Sequence, residues 1–303
     1  MNDDLTPFGL IPRDPLPQQA VYNRIFAGGI GSGESFNWKP YLPVRERQYR
    51  LPFCVTFSRT NCAEAKAKKE GVEINFSDRD LGVSSGTSRQ GNFQDVVSDK
   101  FRNLGAVVEA DCPFTQEMLS LSYPEAWDDI FNLPNLTGKR RYKGGSHSWV
   151  YGLGAMIDAL EHSPLQIAVG LGDTWEKNGI VQRPSSIRAY HAITLYYIDS
   201  SGNKYIHDSI GKEWKILSPD YPLTGTLSFR DLPGDWKDTM AIIEFVHRAG
   251  TEEYGFLERT AHSELFHKAV SENHLKVLAE VFGVTILSPS GTIDFTKARD
   301  ISL

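Results

Sequence analysis

The sequence predicts an α+β protein whose helices come first along the chain and whose strands come second. A helix-compatible run follows Cys54, passes through alanines at 63, 65 and 67, and stops at Gly71. Short apolar runs typical of strands occupy the second half, at 165–171, 189–198, 204–207 and 240–246. Each half is therefore expected to form one lobe.

Three segments of different composition follow one another. Residues 1–35 are rich in proline and glycine, which predicts an extended arm. Residues 36–245 have the mixed composition of a folded domain, including a second predicted helix at 92–103. Apolar residues recur near helical spacing in 246–303, where a short β pair is also predicted at 283–295. We expect an arm, one two-lobed domain and a C-terminal helical extension.

Composition and charge exclude several kinds of partner. The 303 residues carry a net charge of −6, and 40% are hydrophobic, which suits a globular protein with a buried core. An anionic chain without a dense basic cluster is not expected to bind nucleic acid. No apolar run approaches the roughly 20 residues of a membrane span, so no membrane partner is expected.

Cysteine usage indicates the redox setting. The chain opens without a secretion leader and contains three cysteines, which is too few and too odd a number for a disulfide framework. We therefore expect a cytoplasmic or other reducing compartment. Association with a virion is a separate expectation, because the tail at 291–295 loosely resembles phage-encoded proteins.

Cys54 is the first candidate for chemistry. Pro52 favours a helix start just ahead of it, and a helix N-terminus favours the thiolate form. A nucleophilic thiol also needs a base from elsewhere in the fold. His191 opens an apolar strand-like run, and Asp208 follows the next such run, so a hairpin would bring the carboxylate beside the imidazole.

Each candidate has an ordinary structural explanation when taken alone. A histidine in such a run is usually a core residue, an aspartate before Ser-Ile-Gly usually forms a turn, and Gln48 in a polar loop is usually solvated. Together they form the order Gln48, Cys54, His191, Asp208. That order fits an oxyanion donor, a thiol nucleophile, its base and the residue that orients the base. This chemistry needs no cofactor and no metal ion.

From about residue 36 to 245 the chain resembles the papain family of cysteine peptidases. The segment 41–48 ends in Gln48 as the family's Val-Thr-Pro-Val-x-x-Gln does, and 51–58 is similar to Cys-Gly-Ser-Cys-Trp-Ala-Phe-Ser. Residues 190–193 correspond to Asn-His-Ala-Val, and 208–215 to Asn-Ser-Trp-Gly-x-x-Trp-Gly. The resemblance implies a papain-like two-lobed fold, with a helical first lobe and an antiparallel β-barrel-like second lobe.

The resemblance also implies an activity and a role for each site residue. Cys54 would attack a peptide or protein substrate, His191 would act as acid and base, and Asp208 would orient the imidazole. Gln48 would help to hold the oxyanion. Gly91 falls in the family's Gly-Gly segment and would bind substrate backbone.

This sequence departs from the family pattern at three site positions. Leu51 stands where the family has a second cysteine, so the usual disulfide is not expected. Asp208 replaces an asparagine, and Ile210 replaces the tryptophan that shields the histidine. The stretch before residue 36 is also much shorter than the inhibitory prosegment of secreted members, although this arm is itself a candidate occupant of the cleft.

Two other interpretations stay open. Transglutaminase-like and NlpC/P60-type hydrolases share the Cys-His-Asp order, but they lack a glutamine six residues before the cysteine. The other alternative is a non-catalytic structural or docking protein on a papain-like scaffold, such as a component of a phage particle. The arm and the C-terminal extension would suit docking into a larger assembly, and fold alone does not fix function.

Overall fold

The structure is a computed structural model that describes residues 9–12, 35–49, 51–120, 126–231, 233, 236, 285–286 and 293–294. The chain divides into two compact units, Met1–Pro233 and Gly234–Leu303. The predicted strand at 240–246, the helical tail and most of the arm lie outside the described residues. The predicted domain boundaries at 35 and 245 therefore stay predictions.

The described part of the first unit contains six α-helices: α1 Cys54–Lys69, α2 Asp78–Ser84, α3 Gln94–Asn103, α4 Gln116–Ser120, α5 Ala126–Phe131 and α6 Leu153–Leu160. The helix predicted after Cys54 is confirmed, and it ends just before Gly71, whose φ of 76° lies in the left-handed region that glycine tolerates. The second predicted helix begins at Gln94 rather than Asn92. The Asn92 backbone instead pairs with residues 9 and 11, which takes it out of the helix.

The strands follow mainly in the second half of the unit. They are β1 Ser146–Trp149, β2 Leu165–Leu171, β3 Glu176–Lys177, β4 Ile180–Val181, β5 Ala189–Ile198, β6 Lys204–His207, β7 Trp214–Leu217 and β8 Leu223–Arg230. They form one sheet in the order β1-β8-β2-β5-β6-β7-β4-β3. The three strands predicted at 165–171, 189–198 and 204–207 are confirmed with the expected bounds.

One strand pair departs from the expected antiparallel arrangement. β4 pairs with β7 in parallel, whereas the other neighbours in the sheet are antiparallel. The β3–β4 hairpin lies between β2 and β5 in the sequence but attaches to the far side of β7. In the second unit, Thr285–Ile286 and Ile293–Asp294 form the antiparallel pair β9–β10, in the region where a β pair was predicted.

Helix α1 is the centre of the first unit. Its first twelve residues are all buried, which explains why a helix with so many small and polar residues has little amphipathic character. Gln166 of β2 donates to the Val55 carbonyl and to Ser58 Oγ, both at 2.7 Å, and Thr194 of β5 donates to the Ser58 carbonyl at 3.3 Å. These bonds hold the start of α1 against the middle of the sheet.

Two apolar clusters flank this contact. The larger one packs α6 against β2, β5 and β6, and the smaller one joins Phe53, Phe57 and Ile130 on the helical side. Among the described residues, no helix has the length and apolar character needed to cross a membrane.

Candidate active site

Cys54 is the first residue of α1, and its side chain is fully buried at the contact between the helix and the sheet. The Ala192 N–H of β5 donates to Cys54 Sγ at 3.4 Å. No side chain caps this helix start, although the Phe53 carbonyl accepts from Thr56 and Phe57. A helix N-terminus carries a partial positive charge, and the Ala192 N–H places a further donor beside the sulfur.

His191 belongs to β5, immediately before the residue that contacts the sulfur, and it is buried. Its Nε2 lies 2.8 Å from Asp208 Oδ1. Burial alone would lower the pKa of His191, but the charge and hydrogen bond of Asp208, followed by the interaction with Cys54, raise it to about 9. The imidazole is therefore protonated at neutral pH while it faces both groups.

Asp208 directly follows β6 and is 3% exposed. Its Oδ1 accepts from His191 and from the Ile210 N–H at 2.9 Å, and its Oδ2 accepts from Lys215 Nζ. Burial raises its pKa, but the charges and hydrogen bonds of His191 and then Lys215 lower it to about 2. Asp208 is thus a charged carboxylate held in the interior.

Gln48 is completely buried rather than solvated. Its Nε2 donates to the Leu51 carbonyl at 2.7 Å, and its Oε1 accepts from Ser209 Oγ at 2.7 Å. The carboxamide therefore connects the segment that leads into Cys54 with the turn that carries Asp208. A carboxamide nitrogen carries two N–H donors, so the group has the chemistry of an oxyanion donor.

Gly91 lies against a described piece of the N-terminal arm. An added Cβ on Gly91 would lie 2.1 Å from the Gly9 carbonyl, and Gly91 has a φ of 106°. The next residue, Asn92, donates from its N–H to the Gly9 carbonyl and accepts from the Ile11 N–H, each at 2.9 Å. Gly9 also crosses the backbone of Pro52, where an added Cβ would lie 2.3 Å from the carbonyl carbon. The arm thus passes two residues from the nucleophile candidate.

Three further residues of the site had no assigned role from the sequence. Ser209 holds Gln48, Lys215 holds Asp208, and Arg45 donates to the carbonyls of Asp208 and Gly211 at 2.7 and 2.8 Å. A signal for Lys215 was available, because a buried aspartate in place of a neutral asparagine calls for a nearby cation. Arg45 and Ser209 offered no comparable signal, since their partners are backbone carbonyls and a distant amide.

His207, the residue before Asp208, makes contacts of its own. It stacks on Trp214 with ring centroids 4.7 Å apart, and its Nε2 lies 3.3 Å from Glu213 Oε1. All three cysteines are buried and form no disulfide.

Comparisons with known proteins address the fold. No protein-family model matches the sequence, and no curated protein sequence matches it. Among solved structures, the chain is similar to xylellain, a cysteine protease from Xylella fastidiosa, with 14% identity and a TM-score of 0.58 over 75% of this chain and 97% of that chain. It is also similar to procathepsin L2 proteinase from the larval midgut of Tenebrio molitor, with 15% identity and a TM-score of 0.54 over 74% of this chain and 78% of that chain.

Both solved structures match about three quarters of this chain at low sequence identity. At such identities, the similarity establishes the architecture and leaves the chemistry to the residues of the site. The chain therefore has the α+β fold of the papain-like cysteine proteases.

Proposed function

We propose that the protein is a cysteine peptidase or a related amide hydrolase acting on a peptide or protein substrate. The observation that carries the proposal is the buried pair formed by His191 and Asp208 at 2.8 Å, next to a thiol at a helix N-terminus. Such a pair keeps the imidazole protonated and oriented, as thiol-dependent acyl transfer requires.

In the first half of the reaction, the Cys54 thiolate attacks the carbonyl carbon of the scissile amide. The developing oxyanion is held by the Cys54 N–H, which as a first-turn N–H has no acceptor within its helix, and by the Gln48 carboxamide. The His191 imidazolium then donates its proton to the leaving nitrogen, and the C–N bond breaks to give a thioester.

In the second half, neutral His191 takes a proton from water, which attacks the thioester carbonyl. The thiolate leaves, the carboxylic acid product departs, and the Cys54–His191 ion pair is restored. Asp208 stays ionised throughout, consistent with its pKa of about 2, and fixes the ring through Nε2. Nδ1 is then the ring nitrogen that serves Cys54 and the substrate.

The test measures which thiol reacts. The protein is treated with iodoacetamide at pH 7, and the labelling rates of Cys54, Cys62 and Cys112 are followed by mass spectrometry. Burial raises the pKa of both Cys62 and Cys112, so those two thiols should label slowly. We expect Cys54 to label at least about tenfold faster, and hydrolysis of a mixed peptide library to disappear in Cys54→Ala but persist in Cys62→Ala.

The alternative function gives a different result. A structural or docking protein, including a phage component, needs no reactive thiol. Labelling of Cys54 no faster than Cys112, together with no hydrolysis by the wild-type chain, would support that interpretation over an enzyme.

A further inference from the structure

A second cation meets the carboxylate that orients His191. Lys215 lies on β7 opposite Ile206 of β6, so its side chain is on the face of the hairpin that also carries Asp208. Its Nζ donates to Asp208 Oδ2 and to the Ile210 carbonyl at 3.1 Å. The Lys215 side chain is 25% exposed and that of Asp208 is 3% exposed, so the ion pair is mostly shielded from water.

The charges of four consecutive groups, Cys54, His191, Asp208 and Lys215, balance. A Cys54 thiolate and a His191 imidazolium form a neutral pair by themselves. Asp208 adds one negative charge at Nε2 of the imidazole, and Lys215 adds one positive charge on the other carboxylate oxygen. A buried carboxylate without a second cation would hold the imidazolium proton more tightly, because a nearby opposite charge favours the charged form.

We infer that Lys215 is a positioning residue that offsets the extra charge of Asp208 and thereby keeps His191 able to give up its proton. The inference rests on the proposed function, since it assigns Lys215 a part in the same acid–base chemistry. Lys215 acts through Asp208 and does not contact Cys54 or the substrate.

Four other ionisable groups lie around these residues: Arg45, His207, Glu213 and Tyr221. None of them has the role of Lys215. Arg45 donates to backbone carbonyls of the turn rather than to the carboxylate. Burial lowers the pKa of His207, which faces Glu213, and burial followed by the charge of Asp208 raises the pKa of Tyr221. Among the described residues, Lys215 is the cation besides His191 that bonds to the Asp208 carboxylate.

The test measures the proton affinity of His191 through Cys54. The rate of Cys54 carboxymethylation by iodoacetate is followed from pH 5 to pH 10.5. Iodoacetate is an anion, so the carboxymethylation rate falls when the imidazolium loses its proton. The pH at which the rate falls, called the falling limb of the profile, therefore reports the pKa of His191. In the wild-type protein this limb should lie at about pH 9, the pKa of His191.

Lys215→Met removes the charge and keeps the aliphatic length. We expect it to move the falling limb upward by about one pH unit, whereas Lys215→Arg should leave the limb in place. Lys212→Met is the matched control, because Lys212 lies in the turn just before β7 but is 71% exposed and pairs with Glu176. It should behave like the wild-type protein.

The decisive comparison uses two variants with different net charge. Asp208→Asn leaves the charge of Lys215 unopposed near the imidazole, which disfavours the imidazolium. The rate of Cys54 carboxymethylation at pH 7 should therefore fall about tenfold in this variant. Asp208→Asn combined with Lys215→Met restores neutrality and should recover most of that loss. A residue that merely supports the fold would make the double variant worse than the single one. This comparison also decides the matter if Lys215→Met alone does not fold.

An unchanged falling limb in Lys215→Met, or a double variant no faster than Asp208→Asn, would overturn the role of Lys215. Failure of the proposed function is separable from this result. A wild-type protein that hydrolyses no peptide would refute the peptidase while the carboxymethylation profiles still measured Lys215. Peptide hydrolysis with unchanged profiles would refute the role of Lys215 alone.

Discussion

Replacement of Glu64 by glutamine should change how the stability of the protein depends on pH. Glu64 lies on α1, is 6% exposed, and accepts a hydrogen bond from the Phe76 N–H at 2.8 Å. Burial raises its pKa, that hydrogen bond lowers it, and the charges of Glu46 and Glu109 raise it, which together bring the pKa to about 8. Burial likewise raises the pKa of the neighbouring Asp78.

The sign of the effect follows from the direction of the shift. A carboxyl group whose pKa is higher in the folded state binds its proton more tightly there, so it favours folding at low pH. The free energy of unfolding should therefore fall as pH rises from 4.5, the ordinary value, to about 8. At roughly 1.4 kcal/mol per pH unit, the shift corresponds to at most about 5 kcal/mol. Neighbouring carboxyls share protons with Glu64, so we expect about 2 kcal/mol.

Glutamine resembles the protonated form of Glu64 and keeps an acceptor for the Phe76 N–H. Urea unfolding at pH 5 and pH 8.5 is the appropriate measurement, with the free energy of unfolding taken from the midpoint and slope. Glu64→Gln should match the wild-type protein at pH 5 and exceed it by about 2 kcal/mol at pH 8.5. Glu73→Gln is the control, since Glu73 is exposed in a nearby loop and should produce no gain.

Equal stability of Glu64→Gln and the wild-type protein at pH 8.5 would refute the reasoning. It would mean that Glu64 is ionised in the folded protein at little cost, despite its burial. A loss of stability at pH 5 would show instead that glutamine disturbs packing, and the comparison would then rest on the difference between the two pH values.

Two further changes test contacts made by the arm and by a buried ion pair. Removal of residues 1–12 deletes two backbone hydrogen bonds to Asn92, and Ile11→Pro deletes one of them. At about 1 kcal/mol per bond, labelling of Cys54 by a peptidyl alkylating reagent should rise up to about thirtyfold after the removal and about fivefold in Ile11→Pro, while labelling by iodoacetamide stays the same. Equal effects on both reagents would exclude the arm as an occupant of the peptide-binding cleft. The Asp231 carboxylate accepts two hydrogen bonds from the buried Arg59, at 2.6 and 3.0 Å. Asp231→Ala leaves this guanidinium without its carboxylate and should lower the free energy of unfolding in urea by about 3–5 kcal/mol. A loss below about 1 kcal/mol would show that Arg59 finds another partner.

Local pattern was sufficient for the main elements. The bounds of α1, β2, β5 and β6 follow from helical compatibility, apolar runs and glycine stops, which act over a few residues. The parallel β4–β7 pair was not predictable in this way, because two-residue strands carry no periodic signal. The start of α3 was misplaced by two residues for a different reason, since a distant segment bonds to Asn92.

The candidate site likewise has features that the sequence predicts and features that depend on tertiary contacts. The sequence by itself determined the order of Gln48, Cys54, His191 and Asp208, and it identified Asp208 as a charged residue where a neutral one was expected. Only the tertiary structure decided that Lys215 bonds to Asp208, that Gly9 crosses Gly91 and that acidic side chains gather around Glu64. These contacts depend on strand register and on burial by distant segments, and neither quantity is encoded in the local periodicity of the chain.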